Sequence, residues 1–316
     1  MEQIEFPSIK RSTSRIGFGC GRLVGGASAN ESRVIIEVAL KAGITHFDVA
    51  PSYGLGLAEN MLGEVLRGNE EVTIATKVGI ARPSGGGALA VARKALRPLA
   101  VAAPAVKRFM VGALAATSSR EQFDASSIET SFTESLKRLK RPKVDFLLLH
   151  EAQRSAITPE LIEIFSALVS AGQIGAFGSG TGNSRHELVE FGSVWQYRAS
   201  PAHEERPPNV NQILHGVLRY GLIDIPDEVA QRADLSQRLG FDLKDKEALP
   251  SLFLSAAMAM QQDAVILISS NDPQRIKSSV SQIDWDAANL RRKGFLGAFV
   301  ELLAAVGAFR SSGSKL

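Results

Sequence analysis

Short apolar runs alternate with stretches of helical periodicity along most of the chain. The runs at 16–21 (IGFGCG), 46–50 (HFDVA), 73–79 (TIATKVG), 144–150 (VDFLLLH), 174–180 (IGAFGSG), 194–198 (VWQYR) and 264–270 (AVILISS) read as strands apolar enough to be buried on both faces. Between them the pattern predicts helices over 31–43, opened by Asn30 and stopped by Gly43, and over 58–68, 126–140 and 159–172. In 126–140 the apolar residues Ile128, Phe132, Leu136 and Leu139 share one face, and Lys137, Arg138 and Lys140 suit its C-terminal end. A short helix is expected near 186–191, another is opened by Pro273, and 295–310 carries a broad apolar helical face as an extra C-terminal helix.

Strands buried on both faces and separated by helices argue for a parallel α/β sheet. Right-handed crossovers leave two main solutions, an open doubly wound sheet or a closed (β/α)8 TIM barrel. No G-x-G-x-x-G follows any strand; Gly17, Gly19 and Gly21 miss that spacing, as do Gly178, Gly180 and Gly182, which disfavours an ordinary Rossmann site. A barrel brings the C-terminal ends of all its strands to one mouth. The polar residues ending these runs are Asp48, Lys77, His150, Ser179, Gln196 and Ser270, with Tyr53 just past the second strand.

Composition narrows the class. The chain has 316 residues, 45% hydrophobic and 22% charged, enough for one large domain spanning 1–316. A net charge of +3 points to no nucleic-acid partner. Cys20 is the only cysteine, so no internal disulfide forms and a reducing compartment fits. The N-terminus lacks a hydrophobic signal core, and no apolar run is long enough to span a membrane. The expectation is a cytoplasmic monomer or homodimer. The terminal Ser314-Lys315-Leu316 spells a peroxisomal address that has meaning only in a eukaryote.

Asp48, Tyr53, Lys77 and His150 together suggest a chemistry. A phenol has a pKa of about 10 and is a poor acid at neutral pH. A neighbouring ammonium favours the phenolate and lowers that value, so Lys77 is expected to acidify Tyr53. Asp48 could hold Lys77 as an ion pair, and His150 could hydrogen-bond a carbonyl oxygen beside the phenol. The set would protonate the oxygen of an aldehyde or ketone as hydride reaches its carbon. His46 reads as structural, and His186, His203 and His215 have no partners in the pattern. No metal site is indicated.

The order and spacing of "GFGCGRL", "FDVAPSYGLGLAE", "LGEVL", "TKVG" and "ESLKRLKRPKVDFLLLH" resemble the aldo-keto reductases, over roughly 16–79 and 124–182 with a further match at 266–280. "TKVGIARP", "LLLHEA" and "GSGTGN" look closest to the branch containing aldose and pyridoxal dehydrogenases. The resemblance implies an eight-stranded barrel that binds NADP(H) extended, with Tyr53 as proton donor, Lys77 as its pKa partner, Asp48 as the anchor of Lys77 and His150 orienting the carbonyl. It implies an NADP(H)-dependent oxidoreductase acting on a small carbonyl or alcohol; the alternative is a catalytically weak nucleotide-binding barrel serving as a regulatory or interaction module.

Cofactor residues follow from the same resemblance. The stretch "ISSNDPQRIKSSV" opens a helix whose N-terminus suits a phosphate, and Arg275 offers a planar fork for a 2′-phosphate. Ser270, Asn271 and Arg275 match the family's adenosine-phosphate site. Ser269 replaces its common lysine and Ser279 its usual asparagine, which leaves NAD open. Gln196 matches the glutamine that pairs with the nicotinamide amide. Gly180 and Thr181 replace the usual serine-asparagine pair within 178–183, so Thr181 or Asn183 takes over that role beside Ser179. Backbone around Gly19, Cys20 and Gly21 passes near the nicotinamide ribose.

Two regions depart from the family. Residues 82–120 form an insert without Asp or Glu that carries Arg82, Arg93, Lys94, Arg97, Lys107, Arg108 and Arg120, with short helices conceivable at 88–96 and 104–115. It reads either as a basic lid that attracts anionic substrates or as a solvated surface insert. In 199–249 the seventh strand is irregular or missing: 210–220 reads as a helix, and "GVLRYGL" is the best strand candidate. The aromatic that stacks on the nicotinamide is not identified; Tyr197 and Tyr220 are the candidates.

Overall fold

The computed structural model describes residues 1–24, 28–83, 121–181, 188–199, 210–219 and 225–313. An antiparallel hairpin comes first, β1 (Gln3–Phe6) and β2 (Arg11–Ser14), which the apolar pattern does not signal. Eight strands then close a barrel: β3 (Ile16–Gly19), β4 (His46–Asp48), β5 (Thr73–Val78), β6 (Val144–His150), β7 (Ile174–Gly180), β8 (Val194–Arg198), β9 (Asn211–His215) and β10 (Ala264–Ile268). Every neighbouring pair is parallel, and β10 pairs with both β9 and β3 to complete the ring.

Side chains alternate across each strand, so one set fills the barrel and the other meets the helices. Phe6 of the hairpin joins Ala75, Phe146, Leu148, Ala176, Val194, Ile213, Val265 and Leu267 in the inner cluster. Ile16, Phe18, Phe47, Ile74, Leu147 and Leu149 belong to the outer core with the helices. The Phe6 ring meets Phe146 edge-on, with centroids 4.8 Å apart, so the hairpin plugs the N-terminal end of the barrel. Arg11 secures it by pairing at 2.5 Å with Asp145, whose other oxygen accepts the Ile74 amide. With Ala75, Leu148, Val194, Ile213 and Leu267 inside, the period of two directs Lys77, His150, Gln196, His215 and Ser269 into the open mouth.

The helices follow the expected order, with shifted ends. The first, Ala29–Lys41, is capped by Ser28 rather than Asn30: Ser28 Oγ accepts the Glu31 amide and Glu31 accepts the Ser28 amide, a reciprocal box. Ala58–Val65, Ala125–Leu139 and Pro159–Ser170 cover the next crossovers, the last two capped by Asp124 and Thr158. Residues 188–191, within the helix expected near 186–191, are not helical. The C-terminal helix Phe295–Gly313 buries Phe295, Ala298, Phe299, Leu302 and Val306.

The barrel is complete, and the seventh strand lies where a helix over 210–220 was expected. Asn211–His215 is β9, and only Val217–Arg219 makes a short 3-10 turn, so "GVLRYGL" is not the strand. Parallel pairing to β8 on one side and β10 on the other outweighs the local helical preference. Gly216, with φ +77, ends the strand. Most of the basic insert lies outside the described residues, and so do the short helices expected at 88–96 and 104–115, Asn183, His186, His203, Tyr220 and the terminal Ser314-Lys315-Leu316. Among the described residues no helix is long and apolar enough to cross a membrane, and no cluster of metal-ligating side chains occurs.

Candidate active site

Three strand ends and the turn that follows β4 deliver the central group. Lys77 of β5 and Asp48 of β4 form a buried pair, Lys77 Nζ donating to the two Asp48 oxygens at 2.7 and 2.6 Å and to the Val49 carbonyl at 3.2 Å. The ammonium lies 4.9 Å from the centroid of the Tyr53 ring. His150, closing β6, meets Tyr53 edge-on with ring centroids 5.8 Å apart. Asp48, Tyr53, Lys77 and His150 thus converge at the mouth.

Their protonation follows from burial and neighbours. Burial lowers the Lys77 pKa, but Asp48 and Tyr53 outweigh it and the group is held above its ordinary value as an ammonium. Burial, the largest effect, raises the Tyr53 phenol; the Lys77 charge opposes it without cancelling it, and Asp48 adds a smaller upward push. The expected acidification of Tyr53 is therefore overturned: burial outweighs the Lys77 charge and the net shift is upward. His150 is pushed down to about 3 by burial, with Lys77 and His215 adding to the effect, so its ring is neutral at neutral pH. Among the described residues its buried Nδ1 has no hydrogen-bond partner.

Glycines shape the floor. A Cβ on Gly180 would stand 3.0 Å from Gln196 Oε1 and 3.5 Å from Lys77 Cε, so the missing side chain keeps open the space between the Gln196 amide and the ion pair. A Cβ on Gly19 would lie 3.8 Å from Ser269 Cβ, and one on Gly21 3.8 Å from the Tyr53 ring. Cys20 is buried beneath, and burial pushes its thiol pKa well up. Ser179 turns away from the mouth: it alternates with Gly180, and its hydroxyl donates to the Val189 carbonyl. Thr181 donates to Glu151 at 3.2 Å and its amide to the Gln196 carbonyl at 2.9 Å.

A second group stands at the helix after β10. Ser269, Asn271 and Arg275 are exposed, the Arg275 side chain at 80%. Ser270 Oγ accepts the Asp272 amide at 3.0 Å. Asp272 caps helix Pro273–Ser281 by accepting the Gln274 amide, and it lies 3.5 Å from Arg275 Nε.

Two groups escape the sequence reading. His215 ends β9 and reaches the Thr181 carbonyl at 2.7 Å, so it bridges from β9 to the end of β7 and passes β8 between them. Its signal was present: "ILHG" is an apolar run ending on a polar residue before glycine, like "LLLH". Arg82, read as the first cation of a basic lid, instead turns inward to Glu59. Tyr197, a candidate for stacking, bonds Gln212 on the outer side of β8.

The model of the aldo/keto reductase family matches residues 15–221. A D-threo-aldose 1-dehydrogenase of a Pseudomonas species is 30% identical over 160 residues, covering 48% of this chain and 44% of that protein. The chain therefore aligns with less than half the length of that relative. A pyridoxal 4-dehydrogenase of Microbacterium luteolum is 26% identical, covering 85% of this chain and 89% of that protein. An aldo-keto reductase of Klebsiella pneumoniae, solved in complex with NADPH, shares the fold with a TM-score of 0.58 at 15% identity, covering 90% of each chain. The family match spans seven of the eight barrel strands and the four converging side chains, and the chain belongs to the aldo/keto reductase family of oxidoreductases.

Proposed function

We propose that the chain exchanges a hydride between NADP(H) and the carbonyl or alcohol carbon of a small substrate, with Tyr53 as general acid and base. The observation that carries this reading is the convergence of Tyr53, His150 and the buried Asp48–Lys77 pair at one barrel mouth. The mouth fits a nicotinamide: the Gln196 amide, 3% exposed, borders the gap left by Gly180, and Gly19 gives a second flat edge. Ser270, Asn271 and Arg275 would hold the adenosine phosphate. The cofactor supplies or accepts the hydride.

The protein supplies the proton and the orientation. In reduction, Tyr53 Oη gives its proton to the substrate oxygen as that oxygen gains charge. The neutral His150 ring carries one N–H, which donates to the same oxygen and fixes it beside the phenol. The Lys77 charge favours the phenolate left behind, and Asp48 holds Lys77 in register. In oxidation the Tyr53 phenolate takes the hydroxyl proton. The two named relatives are dehydrogenases of an aldose and of pyridoxal, which supports an aldehyde, ketone or sugar hemiacetal as substrate class.

NAD(H) is the second reading for the cofactor, favoured by the Asp272 carboxylate beside Arg275. The test is turnover of an aldehyde and sugar panel with both cofactors, run beside Tyr53→Phe. The variant is expected to bind NADPH, seen by fluorescence, and to lose turnover by on the order of 10²–10⁴. Full turnover in Tyr53→Phe would remove the proton-donor role.

A further inference from the structure

Tyr53 stands on an unusual stretch of backbone. Gly54, Leu55 and Gly56 follow it with φ of +58, +60 and +84, three left-handed residues in succession, one of them a leucine. Such a run persists only where its surroundings over-determine it. One side chain does so from outside the loop. Arg82 Nη1 donates to the carbonyls of Pro51 at 3.3 Å and Gly56 at 2.9 Å, which lie on either side of Tyr53. Its other nitrogen, Nη2, donates at 2.5 Å to Glu59, a carboxylate with no solvent exposure.

Glu59 is fixed in turn. Its second oxygen accepts the Thr76 hydroxyl at 2.8 Å, and Thr76 precedes Lys77 on β5. Arg82 lies so close to the loop that a Cβ on Gly56 would stand 2.9 Å from Arg82 Cγ. A chain of direct bonds therefore joins the backbone around Tyr53 to the strand that carries Lys77. A guanidinium suits this place: its planar fork serves a carboxylate and two carbonyls at once, which a single ammonium cannot do with the same geometry.

We infer that Arg82, braced by Glu59 and Thr76, is a positioning residue that holds the Tyr53 loop against β5 and so sets the phenol beside Lys77. This rests on the reading of Tyr53 as general acid. Arg82 touches neither substrate nor cofactor in this role; it acts through the backbone on both sides of Tyr53.

The test compares Arg82→Lys, which keeps a cation beside Glu59, with Arg82→Gln combined with Glu59→Gln, which avoids leaving a bare buried carboxylate. In either folded variant kcat is expected to fall roughly tenfold or more, as for a misplaced catalytic group. The KM for NADPH should stay within about twofold, and the alkaline limb of the kcat profile should move. Millimolar guanidinium added to Arg82→Ala should recover part of the lost kcat. The inference is overturned if a folded variant, judged by thermal melting, keeps wild-type kcat, or if kcat falls only with the folded fraction and the pH profile stays put. Tyr53→Phe is measured alongside. Loss of turnover there with a normal Arg82→Lys sinks the clamp alone, whereas normal turnover in Tyr53→Phe sinks the general-acid reading and the clamp with it.

Discussion

Both oxygens of Asp48 meet the Lys77 ammonium, and neither side chain is more than 3% exposed. Asp48→Asn would leave that ammonium buried without a counter-charge. Breaking a buried pair from one side costs about 3–5 kcal/mol. The variant should melt at a clearly lower temperature and lose kcat. Because the Asp48 charge also pushes the Tyr53 pKa up, the alkaline limb of carbonyl reduction should move to lower pH wherever Lys77 stays charged. A melting temperature equal to wild type would contradict the burial of this pair.

The direction of the Tyr53 shift fixes the sign of the pH dependence. Burial raises the phenol above its ordinary value, so Tyr53 keeps its proton throughout the neutral range. With Tyr53 as the proposed general acid, carbonyl reduction would use that proton, and its kcat should stay level through neutrality and fall only on the far side of about pH 10. Alcohol oxidation would use the phenolate in the proposed mechanism, and its kcat should rise over the same alkaline range. Steady-state rates in both directions from pH 6 to the alkaline limit of folding, extrapolated to cofactor saturation, check the pair of trends.

Histidine burial predicts acid sensitivity. His46 lies inside the barrel, bonded to Thr73, and burial pushes its pKa down to about 4. The unfolded chain binds that proton near pH 6.5, whereas the folded protein binds it only near 4. Between those values the unfolded state carries more protons, so stability is complete above about 6.5 and declines as pH falls toward 4. The full loss is on the order of 3 kcal/mol for this one group. Denaturant melts from pH 7 to 4 should be flatter for His46→Gln than for wild type.

The barrel was legible because its strands are buried on both faces and read as continuous apolar runs. The catalytic candidates were legible because those runs end on polar residues. β9 was not: "NQILHGVLRY" has too few β-branched residues to announce a strand, and its two parallel partners, distant in sequence, decide its form. The hairpin β1–β2 is short and polar, and only Phe6, inserted among Ala75 and Phe146, reveals its purpose. Arg82 sits in the sequence at the head of a basic segment, and nothing local shows that it turns back to Glu59. Burial likewise reversed the expected shift of Tyr53, because the sequence reveals which charges are neighbours but not how much water they have lost.

His215 bridges to the Thr181 carbonyl at 2.7 Å, and Thr181 in turn holds Glu151, the left-handed residue that follows His150. His215→Ala would release the end of β7 beside Gln196. The expected result is a several-fold rise in the KM for cofactor with a smaller change in kcat, since the residue orders the mouth and does not meet the reacting proton. Initial-rate kinetics with cofactor and substrate varied separately would show the split.

Under the proposed function, cofactor choice would turn on Asp272 and Arg275, 3.5 Å apart at the start of helix Pro273–Ser281. Arg275 would pair with a 2′-phosphate, while the Asp272 carboxylate repels it and accepts from a ribose hydroxyl. Arg275→Ala should therefore weaken NADPH about tenfold more than NADH. Asp272→Asn keeps a good helix cap but removes the charge, so it should tighten NADPH several-fold and leave NADH nearly unchanged. Both side chains are exposed, so these differences should shrink as salt is raised. Fluorescence titration of each variant with both cofactors, at low and high salt, reads all four changes, and equal effects on NADPH and NADH would remove the 2′-phosphate from Arg275.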